Sequence, residues 1–184
     1  ALTKGRGLDC NRISGGIKNI YFAVFDQVTS IPQTAGEITD LEMGTNDLYK
    51  YVMPLGVSSL TDTIVGSREN GTIYYTPTCN IILNRLTKED QNQIKLLGAT
   101  KTIIFAELNE TLVSSGNNVI VGLGSVNGME LNAGTMDSGA AWGDRNGYTL
   151  TFDGMEALPF AMVADYTTTP FDNTAFTFGT IVTS

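Results

Sequence analysis

The stretch Arg68–Gly98, RENGTIYYTPTCNIILNRLTKEDQNQIKLLG, decides the fold because it contains a turn, a long strand and a capped helix. The Asn70-Gly71 pair predicts a tight type I′ turn, in which both central residues need positive φ. From Thr72 to Asn84 apolar and polar residues alternate, so we expect one buried and one solvated face. Ile73, Tyr75, Cys79, Ile81 and Leu83 fall on the buried face, and Thr72, Tyr74, Thr76, Thr78, Asn80 and Asn84 on the solvated one. Pro77 suggests an edge strand or a bulge, since proline cannot donate to a ladder.

A helix follows this strand directly. Thr87 is a favourable N-cap, and Glu89 and Asp90 lie in the first turn, where the helix dipole favours acids. Gly98 ends the pattern, so the helix is expected over about residues 87–97 and packed on the sheet.

The composition favours strands and turns in the rest of the chain. Threonine, asparagine and glycine make up 58 of 184 residues, and 16% of residues are charged. Further strands are predicted in IKNIYFAVF, LYKYVM, SLTDTIVGSR, KTIIFAEL, NNVIVGLG, MELNAG, YTLTF and PFAMVADY. The expected fold is mainly β: an antiparallel sandwich or barrel with one packed helix and extended terminal arms.

The length fits one domain over residues 1–184. Residues 1–16 are expected to form an N-terminal arm, and 17–166 the β-sandwich core, with a long hairpin over about 48–84. Residues 167–184 are expected to form a C-terminal arm that could donate an added strand to another molecule.

Charge is distributed unevenly. Residues 1–18 have four basic groups against one acid, whereas 102–184 have nine acids against Arg145 alone. An acidic body disfavours ordinary nucleic-acid binding, in which Lys and Arg displace the counterions of phosphate. The basic leader is interpreted as a solvated arm that docks on an acidic neighbour, and phosphate binding is its alternative.

The sequence contains neither an apolar run long enough to span a membrane nor the apolar core of a signal peptide. We therefore expect a protein made in a cytoplasm, without a membrane partner. Cys10 and Cys79 have no paired spacing, which disfavours a disulfide framework or a zinc site. Cys79 is expected to be a buried thiol, and Cys10 to be exposed.

The sequence contains no histidine, which removes the usual general base and zinc ligand. Carboxylates could act as a glycosidase-like pair, and the candidates are Glu107, Glu110, Glu130 and Asp144. We expect a non-enzyme without catalytic, cofactor or metal residues. Trp142 is interpreted as a core or rim aromatic, and a surface anchor for a partner or sugar is the alternative.

The order of elements resembles the tail tube proteins of long-tailed bacteriophages and their relatives in contractile injection systems. The resemblance covers about residues 40–166 and rests on the hairpin at Asn70-Gly71, the helix at Thr87–Leu97 and the closing GDRNGYTLTFDGMEALPFAMVADY. It implies hexameric rings that stack into a hollow tube in the virion tail, through which viral DNA passes without specific binding. The implied partners are further copies of this chain and other tail proteins, with a sheath around the tube where the system is contractile. The resemblance also implies assembly in the host cytoplasm.

By this resemblance, Leu48–Asn84 is expected to form the inner sheet and the subunit contacts, with the helix outward. The lumen or interface candidates are Asn70, Gly71, Thr72, Tyr74, Thr76, Thr78 and Asn80. Both arms are expected to bind the adjacent ring.

Two other functions fit a β-rich acidic chain without catalysis. A capsid decoration or head-completion protein of the same viruses predicts monomers or trimers on a shell lattice. A carbohydrate-binding sandwich requires Tyr74, Tyr75 and Trp142 to form an exposed platform for sugar.

Overall fold

The computed structural model describes residues 4–7 and 12–183. It is 47% strand and 7% helical, with antiparallel sheets and a single helix, which confirms the predicted fold class. Of the predicted N-terminal arm, residues 4–7 and 12–15 are exposed and have no regular structure. Cys10 lies outside the described residues.

The larger sheet has eight strands. They are β1 (Ile17–Val24), β2 (Gln33–Thr34), β3 (Glu37–Ile38), β5 (Leu48–Val52), β8 (Thr102–Thr111), β9 (Asn118–Leu123), β12 (Ala161–Val163) and β14 (Ile181–Thr183). Their order across the sheet is β14-β5-β1-β8-β9-β12-β3-β2. The pairs β14–β5 and β12–β3 are parallel and the others antiparallel.

The smaller sheet has four antiparallel strands. They are β6 (Ser59–Ser67), β7 (Thr72–Asn84), β10 (Glu130–Asp137) and β11 (Gly147–Asp153), in the order β10-β11-β7-β6. Two short strands, β4 (Leu41–Glu42) and β13 (Phe176–Thr177), pair separately.

The main core lies between these two sheets. Phe22 and Ile104 reach it from the eight-stranded sheet, and Ile81 and Phe152 from the four-stranded sheet. The rings of Phe22 and Phe152 are 5.3 Å apart. Buried free Cys79 belongs to this core, as predicted, and burial raises the pKa of its thiol to about 12.

Helix α1 (Lys88–Leu97) packs its buried Ile94 on the same core. Thr87 caps it as predicted, since its hydroxyl oxygen accepts the Asp90 N–H at 3.1 Å. Tyr148 of β11 fixes this end of the helix to the sheet by donating its hydroxyl to the Thr87 carbonyl at 3.0 Å.

A second core covers the other face of the eight-stranded sheet, and the C-terminal segment forms part of it. Phe171 is 2% exposed and its ring packs edge-on against Tyr21 and Phe105. The segment then adds β13 and β14 to this chain's own sheets. The prediction of an extended arm at 167–184 is therefore wrong, because Phe171 is buried in the second core and the residues after it pair with strands of the same chain.

The long hairpin comprises Ser59–Asn84, not residues 48–84. Residues 48–52 form β5, which pairs with β1 and β14 in the other sheet. The chain reverses near Asn70-Gly71 as predicted, but only Gly71 has a positive φ, of 63°. Four residues separate the paired Ser67 and Thr72, so the connection is a four-residue loop and the predicted type I′ turn is wrong.

Pro77 lies in a central strand, which corrects the prediction of an edge strand or bulge. The β7–β11 ladder ends at Thr78, and a bridge follows at Tyr75 with Glu156. Between them the Pro77 carbonyl accepts the Gly154 N–H at 3.1 Å. Because Tyr75 directs its N–H toward Glu156, Pro77 directs its nitrogen to the same side, into the gap between these pairings. No ladder donor is needed there.

Candidate assembly surface

The outward face of the four-stranded sheet is dominated by threonine. Alternation and register place eight threonines on it: Thr61, Thr63, Thr72, Thr76, Thr78, Thr135, Thr149 and Thr151. Asn80 lies among them and accepts a hydrogen bond from the Thr151 hydroxyl at 2.9 Å. We call this surface the threonine face.

The sequence-predicted candidates lie on or beside this face. Thr76, Thr78 and Asn80 are half-buried in its centre, and Thr72 and Tyr74 are exposed on the outer half of the hairpin. Asn70 and Gly71 lie in the loop at its tip. The predicted alternation fails in that outer half: Ile73, predicted to be buried, is 63% exposed because the hairpin extends past the sheet that covers its base.

The threonine face contains more acids than cations. It presents three acids, Glu130, Asp137 and Asp153, whereas Asp62 pairs with Pro77 and lies on the opposite face. The four strands contain no Lys or Arg, but Arg145 of the β10–β11 loop donates to Thr149 Oγ1 on this face at 2.6 Å. A polar concavity of about 610 Å³ opens on this face between Thr78, Glu130 and Asp153. Its rim includes Lys101, whose ammonium lies 3.4 Å from Glu130 Oε1. No aromatic ring lines the concavity among the described residues.

Within residues 4–7 and 12–183, both edges of the four-stranded sheet are open, β6 at one side and β10 at the other. Odd-numbered residues of β7 direct their backbone groups toward β11, as the 2.9 Å bond from Tyr75 N–H to Glu156 O shows. Even-numbered ones such as Thr76 therefore face β6, where Thr76 pairs with Thr63. Since Thr63 and the other odd-numbered residues of β6 face β7, the even-numbered residues direct their N–H and C=O groups to the open edge. They are Leu60, Asp62, Ile64 and Gly66.

The middle of the hairpin is held by Glu156, which pairs with Tyr75 and is 4% exposed. Its two oxygens accept the N–H groups of Val126 (3.1 Å) and Asn127 (2.9 Å). Burial raises the pKa of this carboxyl, and the charge of nearby Asp62 adds to the effect. Asp62 in turn accepts the Phe160 N–H at 2.9 Å. These contacts hold β6 and β7 against two connecting loops.

Glu107, a candidate catalytic carboxylate, lies inside the eight-stranded sheet and is 2% exposed. Its Oε2 accepts the Asn19 amide at 2.6 Å and the Tyr21 hydroxyl at 2.9 Å, and Lys18 Nζ is 3.1 Å from Oε1. The pKa of Tyr21 is raised by burial first and by the charge of Glu107 second. This arrangement satisfies the carboxylate and leaves it little access to a substrate.

The other three candidate carboxylates do not form a cluster with Glu107. Glu110 lies near the end of β8, and Glu130 starts β10. Asp144 lies in the β10–β11 loop, where the N–H groups of Ala141 and Ala140 lower its pKa. Within the described residues, no group of three or more Cys, Asp or Glu could hold a metal ion.

The three aromatics of the carbohydrate interpretation lie apart. Tyr74 and Tyr75 are consecutive in β7, so they point to opposite faces. Trp142 lies in the β10–β11 loop, at the Asn84 end of β7 and away from both tyrosines. It is fully exposed, at 107%, so its interpretation as a core or rim aromatic is wrong.

Sequence reasoning missed half of the threonine face. It assigned the inner sheet to residues 48–84 and left out β10 and β11. The signal was present in YTLTF, because Tyr148, Leu150 and Phe152 on the buried face leave Thr149 and Thr151 on the other. The pairing of β11 with β7 across some seventy residues is what places the two threonine rows together.

No family model, curated protein or solved structure matches this chain. Among the described residues, no helix is both long enough and apolar enough to cross a membrane.

Proposed function

We propose that this chain is a structural virion protein whose copies form rings that stack into a phage tail tube. In each ring, β6 of one copy pairs with β10 of the next, and the threonine faces together line a central channel. The observation that carries the proposal is the four-stranded sheet, with a threonine-rich outward face on which acids outnumber cations and an open strand at each edge.

Strand direction supports this pairing. The sheet has an even number of antiparallel strands, so β6 and β10 run in opposite directions. A neighbour related by rotation about a ring axis therefore presents β10 antiparallel to β6. Such a head-to-tail contact closes into a ring and removes every open edge of this sheet, which an isolated chain leaves as an aggregation hazard.

The overhang of the hairpin supports the same ring. The centre of β6 is level with Thr76 of β7, whereas the centre of β10 is level with Asn80 and Ile81. Full pairing therefore needs a shift of four to five residues, roughly 15 Å, across a sheet roughly 19 Å wide. This shift corresponds to a strand tilt of roughly 40°, within the ~35–45° that closed barrels require.

The channel chemistry suits DNA that passes without being held. Six copies, the number that the resemblance implies, would give a barrel of roughly 24 strands, about 45 Å across between backbones. Its wall would present threonine, Asn80 and Asp153, and its cations would be Lys101, beside Glu130, and Arg145, which donates to Thr149. DNA affinity depends on Lys and Arg that neutralise phosphates, and the acids Glu130, Asp137 and Asp153 outnumber these two cations, so such a wall offers little grip.

The proposed partners are other copies of this chain and further tail proteins, with a sheath around the tube if the tail is contractile, and the proposed location is the virion tail. No catalytic residue, cofactor or metal has a role in this function. The exposed basic groups Lys4, Arg6 and Arg12 suit an arm that docks on an acidic adjacent ring.

Light scattering and negative-stain electron microscopy of the purified chain, over a concentration series, test the proposal. We expect ring-sized particles with a central hole, and tubes of the same width at higher concentration. A stable monomer or trimer at every concentration contradicts the proposal and favours a decoration or head-completion protein.

A further inference from the structure

Trp142, the only tryptophan in the chain, stands on the loop between β10 and β11. Its exposure of 107% means that none of the described residues covers its ring. The loop is nevertheless ordered by hydrogen bonds, because Asp144 Oδ2 accepts the Ala140 N–H at 3.0 Å and the Ala141 N–H at 2.7 Å. A large aromatic held on an ordered loop loses little entropy on binding, which is typical of an interface anchor.

The same chain contains an apolar pocket that could receive an indole ring. It lies between the C-terminal half of α1 and the strands β1 and β5, and has a volume of about 320 Å³. That volume is at the lower end of the ~300–1,000 Å³ of small-molecule sites. Leu96 and Tyr49, which line it, are 60% and 39% exposed, and Gln27 and Gln93 supply acceptors for an indole N–H.

The two features lie at opposite ends of the four-stranded sheet. Trp142 lies beyond Asp137, the last residue of β10. The pocket includes Thr102, which pairs with Met129 immediately before β10 begins. The eight residues of β10 separate these ends by roughly 26 Å. Neither end is used by lateral β6–β10 pairing, so both stay free for stacking.

We propose that Trp142 of one copy inserts into the pocket beneath α1 of a second copy in the adjacent ring. This inference rests on the proposed ring assembly and identifies the contact that stacks the rings. Because the Trp142 side chain and the pocket are different surfaces at opposite ends, the contact is heterologous and propagates without closing.

The area involved explains why rings must form first. A tryptophan buries about 150–250 Å² on insertion, and the pocket a similar amount, far less than the ~1,200 Å² of a stable interface. One such contact cannot hold two free monomers together. Repeated around a ring, the contacts act together by effective concentration, so stacking depends on prior ring formation.

Trp142→Ala tests the inference with Trp142→Phe as the matched control, since the exposed side chain has no role in the fold. We expect Trp142→Ala to form rings as the wild type does, while its stacking constant falls at least ~30-fold, as for truncation of an interface tryptophan. Trp142→Phe should retain part of the stacking. Ring mass from light scattering and tube length from microscopy separate the two effects.

Fluorescence provides a second readout because Trp142 is the only tryptophan. Its emission should stay that of a solvent-exposed indole in monomers and single rings, and should shift to the blue as tubes form. Leu96→Glu should block the pocket and leave single rings. Preformed Trp142→Ala rings keep the pocket, and preformed Leu96→Glu rings keep the indole. When mixed they should give stacks of two, because only the indole end of the second can bind the pocket end of the first.

Four results would overturn the inference. Tubes of unchanged length from Trp142→Ala, or an emission that does not shift, would refute it and leave ring assembly standing. Loss of the rings themselves in Trp142→Ala would place Trp142 in the lateral contact instead. Wild-type protein that forms no rings would overturn the proposed function and this inference together.

Discussion

Ile64 is the position at which lateral pairing and monomer folding can be separated. It lies in the middle of β6, is 66% exposed, and directs its backbone N–H to the open edge. Proline is tolerated in an edge strand where its missing N–H would face solvent. We therefore expect Ile64→Pro to fold, with a free energy of unfolding within about 1 kcal/mol of the wild type.

The same change should weaken assembly strongly. In the proposed pairing with β10, it removes one interchain hydrogen bond, worth ~0.5–1.5 kcal/mol, and leaves an acceptor unpaired at ~1–3 kcal/mol. A loss of about 2–3 kcal/mol per contact corresponds to a roughly 30- to 140-fold weaker association. The concentration of half-assembly, measured by light scattering or sedimentation, should rise accordingly.

Ile73→Pro is the matched control. Ile73 is 63% exposed, in the same hairpin, but as an odd-numbered residue of β7 it directs its N–H away from β6. It should assemble like the wild type, and urea unfolding should show both variants folded. Unchanged rings in Ile64→Pro, or equal loss in both variants, would refute the assignment of β6 as the lateral edge.

Further changes test the fold. Phe152→Ala removes a fully buried ring from the main core and should lower the free energy of unfolding by about 3–5 kcal/mol, measured by urea titration. Gly71→Val forces a β-branched residue to a φ of 63°, so it should destabilise the hairpin tip, which faster amide exchange at Thr72 would show. Asn70→Val is the control and should have less effect, because the φ of residue 70 is not positive. Asp172→Asn should destabilise more at about pH 6 than at about pH 2. The N–H groups of Thr169 and its neighbours lower the pKa of Asp172 to about 2. The carboxylate of Asp172 therefore stabilises the fold above the ordinary Asp pKa, and this stabilisation is lost as pH falls through about 2. Equal destabilisation by Asp172→Asn at both pH values would contradict this.

The local elements could be predicted because their signals are local. The alternation from Thr78 to Ile81 marks a half-buried strand, and Thr87 with Asp90 marks a helix start. The seven lumen or interface candidates could therefore be identified as one row of residues along the hairpin and its tip. Their position depends only on the period of two in a strand.

Pairings between distant strands could not be read from the sequence in this way. Nothing near Leu48 says that β5 joins β1 and leaves the hairpin, since this depends on which faces remain uncovered once the core has formed. The C-terminal segment was misjudged for the same reason. Phe171 is one aromatic among polar residues, and only the second core shows where it packs. The exposure of Ile73 follows from the length of β7 relative to β11, which alternation does not encode.

A cryo-electron microscopy map of the assembled particle tests the central claim most directly, because it shows which strands meet at the subunit boundary. We expect β6 beside β10 of the neighbouring copy, antiparallel and staggered, with Thr76, Thr78 and Thr151 facing the channel. A boundary formed by other strands, or a threonine face directed outward, would contradict the account.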